Sequence, residues 1–95
     1  MRILGSAADR EALSALVAST LQPLREQSDA LYETARALVA AGFSQRQAAR
    51  ELGVHWNTLR HRVARIEELL GSELTDPELR LRLHLALEAE RVPLR

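Results

Sequence analysis

The 95-residue chain has no cysteine. That absence removes disulfides, cysteine-ligated zinc, iron–sulfur clusters and thiol catalysis together. It also has no lysine, so all 13 basic residues are arginine. Only three residues are aromatic, Tyr32, Phe43 and Trp56, and Val and Ile are few, which argues against a β-sandwich or barrel. No apolar run approaches the ~20 residues needed to cross a bilayer. The opening Met1-Arg2-Ile3-Leu4-Gly5-Ser6 is too short for a signal peptide, so no membrane association and a cytoplasmic location are expected. The three histidines are scattered without ligand spacing, so no metal site is expected. There is no Ser/His/Asp set, glycine-rich phosphate loop or paired acidic site. Neither an enzyme nor a cofactor is therefore expected.

What is present favours helices. Leu occupies 18 positions and Ala 15, in a chain that is 46% hydrophobic and 27% charged. That balance belongs to a globular domain, and the length suits one domain with one modest core. The formal net charge is zero, but the charges are unevenly placed. Between residues 44 and 66, Arg46, Arg50, Arg60, Arg62 and Arg65 face the single Glu51, a net +4. From residue 67 to 78 come five acids, Glu67, Glu68, Glu73, Asp76 and Glu78, and no base. A neutral molecule can thus carry a basic face.

Five helices are predicted. Asp9 is the expected cap of the first, whose apolar positions are Leu13, Leu16, Val17, Ala18 and Leu21. Pro23 is expected to close or kink it, leaving residues 22–28 as a connector. Ser28 or Asp29 caps a second helix with Leu31, Ala35, Leu38 and Val39 on one face, ended by Gly42, after which Phe43 returns to the core. Ser44 followed by Gln47 reads as a capping box opening a short third helix, with Ala48, Ala49 and Leu52 inward and Gly53 at its end. The fourth starts near His55 or Trp56 and places Leu59, Val63, Ile66 and Leu70 on one stripe, with Gly71 as its cap. Asp76-Pro77-Glu78 is a strong start for a fifth. The alternation from Leu79 to Leu85 imitates a strand, but leucine and arginine with that start favour helix. Leu79, Leu83, Ala86 and Leu87 then share one side while Leu81 and Leu85 fall on another, a pattern expected of a helix buried twice, the second time against a partner subunit or neighbouring domain.

The third and fourth helices have the layout of a helix-turn-helix. Ala49 is small enough for a close crossing, Gly53 permits the positive φ of a tight turn, and Val54, Leu59 and Val63 pin the turn and the following helix to the core. At about 100° per residue, with Leu59 at zero, Asn57, His61, Ala64 and Glu68 lie opposite the apolar stripe. Asn57, Arg60 and His61 are thus the expected base-edge contacts, Arg suiting guanine and Asn adenine. Trp56, on the border of the apolar face, is a packing residue or a further base contact. Ser44, Gln45, Arg46, His55, Thr58, Arg62 and Arg65 are candidates for phosphates, assisted by the amides at the helix start. Without that motif Arg60, Arg62 and Arg65 would read as solvated charges paired with Glu51, Glu67 or Glu68.

The string from Ala49 to Gly71, with its His55-x-Asn57-Thr58-Leu59-Arg60-x-Arg62 and Arg65-Ile66-Glu67-Glu68-Leu69 segments, resembles the C-terminal helix-turn-helix domain of the PucR/CdaR family of bacterial transcriptional regulators. The resemblance extends through Leu74, Asp76-Pro77, Arg80-Leu81 and Leu85-Ala86-Leu87. A shorter part, from Ala48-Ala49 to Arg60, is also similar to Fis-type DNA-binding domains, but the chain beyond Gly71 fits the PucR pattern better. Trp56 stands where that family commonly has a basic residue, and His61 where it has an aromatic such as Tyr. The resemblance implies an all-α, five-helix domain built around a tri-helical helix-turn-helix core. It divides the chain into a helical lead-in, residues 1–27, and a DNA-binding domain, residues 28–91. It also implies an upstream sensory region in a longer parent protein. The expected function is sequence-specific binding of double-stranded DNA as a homodimer. The competing expectation is a helical protein–protein interaction or dimerisation module without DNA binding, which zero net charge favours.

Overall fold

A computed structural model describes residues 7–91. The opening Met1–Ser6 segment, on which the signal-peptide expectation falls, lies outside the described residues. Five helices follow in order: α1 (Ala7–Gln27), α2 (Asp29–Ala40), α3 (Gln45–Leu52), α4 (Trp56–Leu70) and α5 (Pro77–Arg91). No strand occurs among the described residues, so the Leu79–Leu85 alternation is helical, as the start signal predicts. α2 is the hub and touches each of the other four helices, while α1 lies against α5.

The expected connector over residues 22–28 is not there. α1 runs through Pro23 to Gln27, and only Ser28 separates it from α2. A proline inside a helix has no N–H for the carbonyl four residues earlier, which here belongs to Ser19. Arg82 of α5 supplies the replacement, its Nη2 donating to that carbonyl at 3.4 Å while its Nε donates to Thr20 Oγ1 at 3.0 Å. Leu21 and Leu24, on either side of the proline, are fully buried and hold both arms of the helix on the core. Asp9 sits within the first turn of α1 rather than capping it, where its charge still complements the helix dipole.

α2 begins as expected, with Ser28 Oγ accepting from Leu31 N at 3.2 Å. It ends with Gly42 N donating to Val39 O and Phe43 N to Leu38 O, the two bonds of a Schellman closure. Gly42 and Phe43 both have positive φ, 62° and 67°. For Phe43 that conformation costs about 1 kcal/mol or more. The Leu38 hydrogen bond, core packing of the ring and the Arg80 guanidinium 5.0 Å from the ring centroid hold it there.

One core serves all five helices. Leu21 and Leu24 of α1 meet Leu31, Ala35 and Leu38 of α2, Ala48 and Ala49 of α3, the predicted Leu59–Val63–Ile66–Leu70 stripe of α4, and Leu79, Leu83 and Ala86 of α5. Leu87 is only half-buried, and Ala89 is buried instead. Two threonines are buried as well, and both are satisfied: Thr20 accepts from Arg82, and Thr34 Oγ1 donates to Ala30 O at 2.7 Å. Tyr32 joins three helices, bonding Glu90 of α5 while its ring lies 4.2 Å under the Arg25 guanidinium of α1, which itself pairs with Glu90. Asp76 caps α5, its Oδ1 accepting from Glu78 N at 2.9 Å, and Glu67 Oε2 accepts from Leu74 N at 2.7 Å to hold the loop between α4 and α5.

Candidate nucleic-acid interface

The α3–α4 unit is set by its turn. Gly53 ends α3 in the left-handed conformation, φ 68° and ψ 33°. Its N–H donates to Arg50 O and that of Val54 to Ala49 O, both at 3.1 Å, so the chain reverses without an unsatisfied amide. Val54 then packs on the core, and Ala49, almost fully buried, lets the helices approach.

At the start of α3, Ser44 Oγ accepts from Gln47 N at 3.2 Å, but the reciprocal half of the expected capping box does not form. Gln47 turns forward to Glu51 instead, at 3.3 Å, because Ser44 N is already taken by Ala41 O. At the start of α4, the capping residue is His55, whose Nδ1 accepts from Asn57 N at 3.0 Å. An accepting Nδ1 carries no proton, so the donor nitrogen of the ring is Nε2.

The outward ridge of α4 is as the helical arithmetic predicts. Asn57, Thr58, Arg60, His61, Ala64, Arg65 and Glu68 are all exposed, while Leu59, Val63, Ile66 and Leu70 are buried. Trp56 is 40% exposed and belongs to no core cluster. It lines, with Val54, Ala49, Arg46 and Arg50, an open cleft of about 350 Å³ between α3 and the start of α4.

The arginines divide into two sets. Arg62 is half-buried and reaches Thr34 Oγ1 at 3.5 Å. Arg65 donates to Gln27 Oε1 at 2.9 Å and pairs with Glu68 at 3.4 Å. Arg80, Arg82 and Arg91 are likewise engaged within the chain. Arg46, Arg50 and Arg60 make no ion pair or hydrogen bond through their side chains among the described residues. Sequence reasoning counts Arg50 in the basic segment but names it for no contact, although its i,i+4 relation to Arg46 places both on one face of α3. No cluster of metal-ligating side chains occurs among the described residues. No helix there is long and apolar enough to cross a membrane.

Residues 31–89 match the family described as the PucR C-terminal helix-turn-helix domain. The chain belongs to that family. The match begins at the first buried leucine of α2 and ends near the last buried residue of α5, so it covers the helix-turn-helix together with the helices that support it. The chain is similar to the purine catabolism regulatory protein of Bacillus subtilis (strain 168), 39% identical over 77 residues, or 78% of this chain and 14% of the relative. It is similar to an uncharacterised protein of Thermomonospora curvata, 45% identical over 60 residues, or 63% of this chain and 33% of that one. An uncharacterised protein of Mycobacterium tuberculosis (strain ATCC 25618 / H37Rv) is 36% identical over 69 residues, 73% of this chain and 17% of its own length. The chain thus spans a third or less of these relatives. As a PucR-type helix-turn-helix domain it is a DNA-binding unit of a transcription regulator, and its family is not an enzyme class.

Proposed function

We propose that the chain is the sequence-reading output domain of a longer, cytoplasmic regulator that acts by binding rather than catalysis. In this reading α4 enters the major groove of double-stranded DNA with Asn57, Arg60, His61 and Trp56 toward base edges. Arg46 and Arg50 neutralise phosphates, helped by Ser44, Gln45, His55 and Thr58 beside the two helix starts, whose free amides favour anions. Arg62 and Arg65 reach a phosphate only by exchanging their Thr34 and Gln27 partners. The observation that carries the reading is the distribution of unpaired cations. From α2 onward, the arginines left without a partner among the described residues are Arg46, Arg50 and Arg60, all on the helix-turn-helix. The length of the relatives and the name of the Bacillus protein support an upstream sensory part and a role in gene control.

One recognition helix makes few base contacts. Two copies of the chain, with recognition helices about 34 Å apart on a two-fold site, make enough for specificity. The surface proposed for this homodimer is the outer side of α5, where Leu81 and Leu85 are 56% and 42% exposed.

Fluorescence anisotropy with a labelled random-sequence duplex, titrated at several salt concentrations, tests the core of the proposal. Affinity is expected to fall linearly in log salt, with a slope of about 0.9 per phosphate neutralised. Arg46→Ala and Arg50→Ala are each expected to reduce that slope by about one, uniformly across sequences. A folded chain with no affinity for duplex at low salt overturns the reading in favour of a protein-binding module.

A further inference from the structure

The cleft between α3 and α4 has a composition that the general reading does not use. Its walls are apolar: Ala49 is buried, Val54 is half-buried on the core, and the Trp56 indole stands beside them, 40% exposed. Its rim is doubly cationic, with Arg46 and Arg50 one helical turn apart and neither paired within the described chain. Trp56 is the first residue of α4, at the end of the helix that leads into the groove, next to Asn57 and one turn before Arg60.

Base edges in the major groove present hydrogen-bond donors and acceptors with a single apolar exception, the C5-methyl of thymine. An indole held at the groove end of a recognition helix meets no other apolar group there. A tryptophan facing only hydrogen-bonding edges could satisfy one acceptor through its Nε1–H and would bury the rest of its ring against groups it cannot satisfy. Two unpaired guanidinium groups on the same rim suit the phosphates that flank such a nucleotide on its own strand. We infer that this cleft is a thymidine-reading site. In it Trp56 packs against the C5-methyl of one thymine of the bound sequence, and Arg46 and Arg50 hold the adjoining phosphates. The inference rests on the DNA-binding reading above and adds the identity of one base and the residue that selects it.

The test starts from selection of a random-sequence duplex library with the full 95-residue chain, followed by the same selection with Trp56→Ala and Trp56→Phe. Wild type is expected to enrich a fixed thymine at one position, Trp56→Ala to lose that preference, and Trp56→Phe to keep part of it. In the enriched duplex, replacing that thymine with deoxyuridine removes only the methyl group and leaves pairing intact. This is expected to weaken wild-type binding about fourfold, the effect of withholding one buried carbon, and to leave Trp56→Ala binding unchanged. Far-ultraviolet circular dichroism checks that both variants keep the helical fold. Arg46→Ala and Arg50→Ala are expected to lower affinity while preserving the thymine-to-deoxyuridine ratio. An enriched sequence without a Trp56-dependent thymine overturns this inference and leaves the DNA-binding reading standing. Equal loss of affinity by Trp56→Ala on the thymine and deoxyuridine duplexes does the same. A library that yields no enriched sequence overturns both.

Discussion

Two side chains of similar appearance in the sequence have opposite settings in the structure: Arg60 has no partner among the described residues, while Arg62, two positions on, is half-buried against Thr34. In the proposed reading, Arg60 is the side chain whose loss reports on recognition. Arg60→Ala is expected to cost about 1–3 kcal/mol of specific DNA affinity and to relax the choice at one base, read by competition between the enriched duplex and single-base variants. Tyr32 offers a test in the scaffold. Burial, then its hydrogen bond to Glu90, pushes its hydroxyl above the ordinary tyrosine range, outweighing the pull of Arg25. A folded-state value raised above the unfolded one means that this contribution to stability is complete below about pH 10. It is lost as the pH climbs through the folded value. Tyrosinate absorbance is expected to rise at higher pH in folded protein than in denaturant, and Tyr32→Phe to flatten the alkaline loss of thermal stability. As the chain's one tyrosine, Tyr32 makes the signal unambiguous. At this scale the sequence was informative about exposure and only partly so about pairing, since it offered Glu68 among several partners and Arg65 takes it. The helical angle of Asn57, Arg60 and His61 follows from arithmetic. The attachment of Arg65 to Gln27, 38 positions away, depends on how α1 crosses α4.

Among the elements, α4 and α5 were the most legible, α4 from its apolar stripe and the Gly71 cap and α5 from its Asp76-Pro77-Glu78 start, although Ala89 rather than Leu87 is buried on α5. α1 was not, because Pro23 breaks a helix only where nothing replaces the lost bond, and the replacement comes from Arg82 in a distant helix. This gives a coupled prediction. Arg82→Ala is expected to destabilise the domain by about 1–2 kcal/mol, since it leaves Thr20 and the Ser19 carbonyl short of a donor. Pro23→Ala is expected to reduce that cost by restoring an internal N–H for Ser19, and thermal melts of the two singles and the double measure the coupling. Gly53 offers a cleaner backbone test. A Cβ there meets nothing within 4 Å, so Gly53→Ala carries only the strain of its positive φ, about 1 kcal/mol. That change is expected to lower the melting temperature by several degrees and leave the helix content intact.

In the molecule as a whole, α1 contributes two fully buried leucines to the shared core, and Arg25 and Thr20 tie it to α5. Leu24→Ala is accordingly expected to cost about 2–5 kcal/mol, a large share of the stability of a domain this small, with chemical denaturation as the measure. The all-helical architecture and the composition of the core were readable because leucine spacing alone specifies which faces must meet. The outer side of α5 was readable as surplus, since Leu81 and Leu85 stand opposite Leu83 and Ala86 on the same helix. Replacing both leucines with serine is expected to leave the fold unchanged. Sedimentation is then expected to register a monomer, with weaker DNA binding, if the proposed homodimer forms there. Unaltered association after the double change would move the dimer surface elsewhere.

The placement of the chain's single tryptophan and single tyrosine has a practical corollary. Trp56 stands in the cleft beside α3, and Tyr32 in the clasp between α1, α2 and α5. Each chromophore therefore reports on a different region of one molecule, with no label and no mutation. Excitation of the indole follows what arrives at the recognition helix, and absorbance of the phenol follows whether the supporting helices stay closed. Recording both in one titration separates occupancy of the proposed DNA-facing surface from loosening of the scaffold behind it.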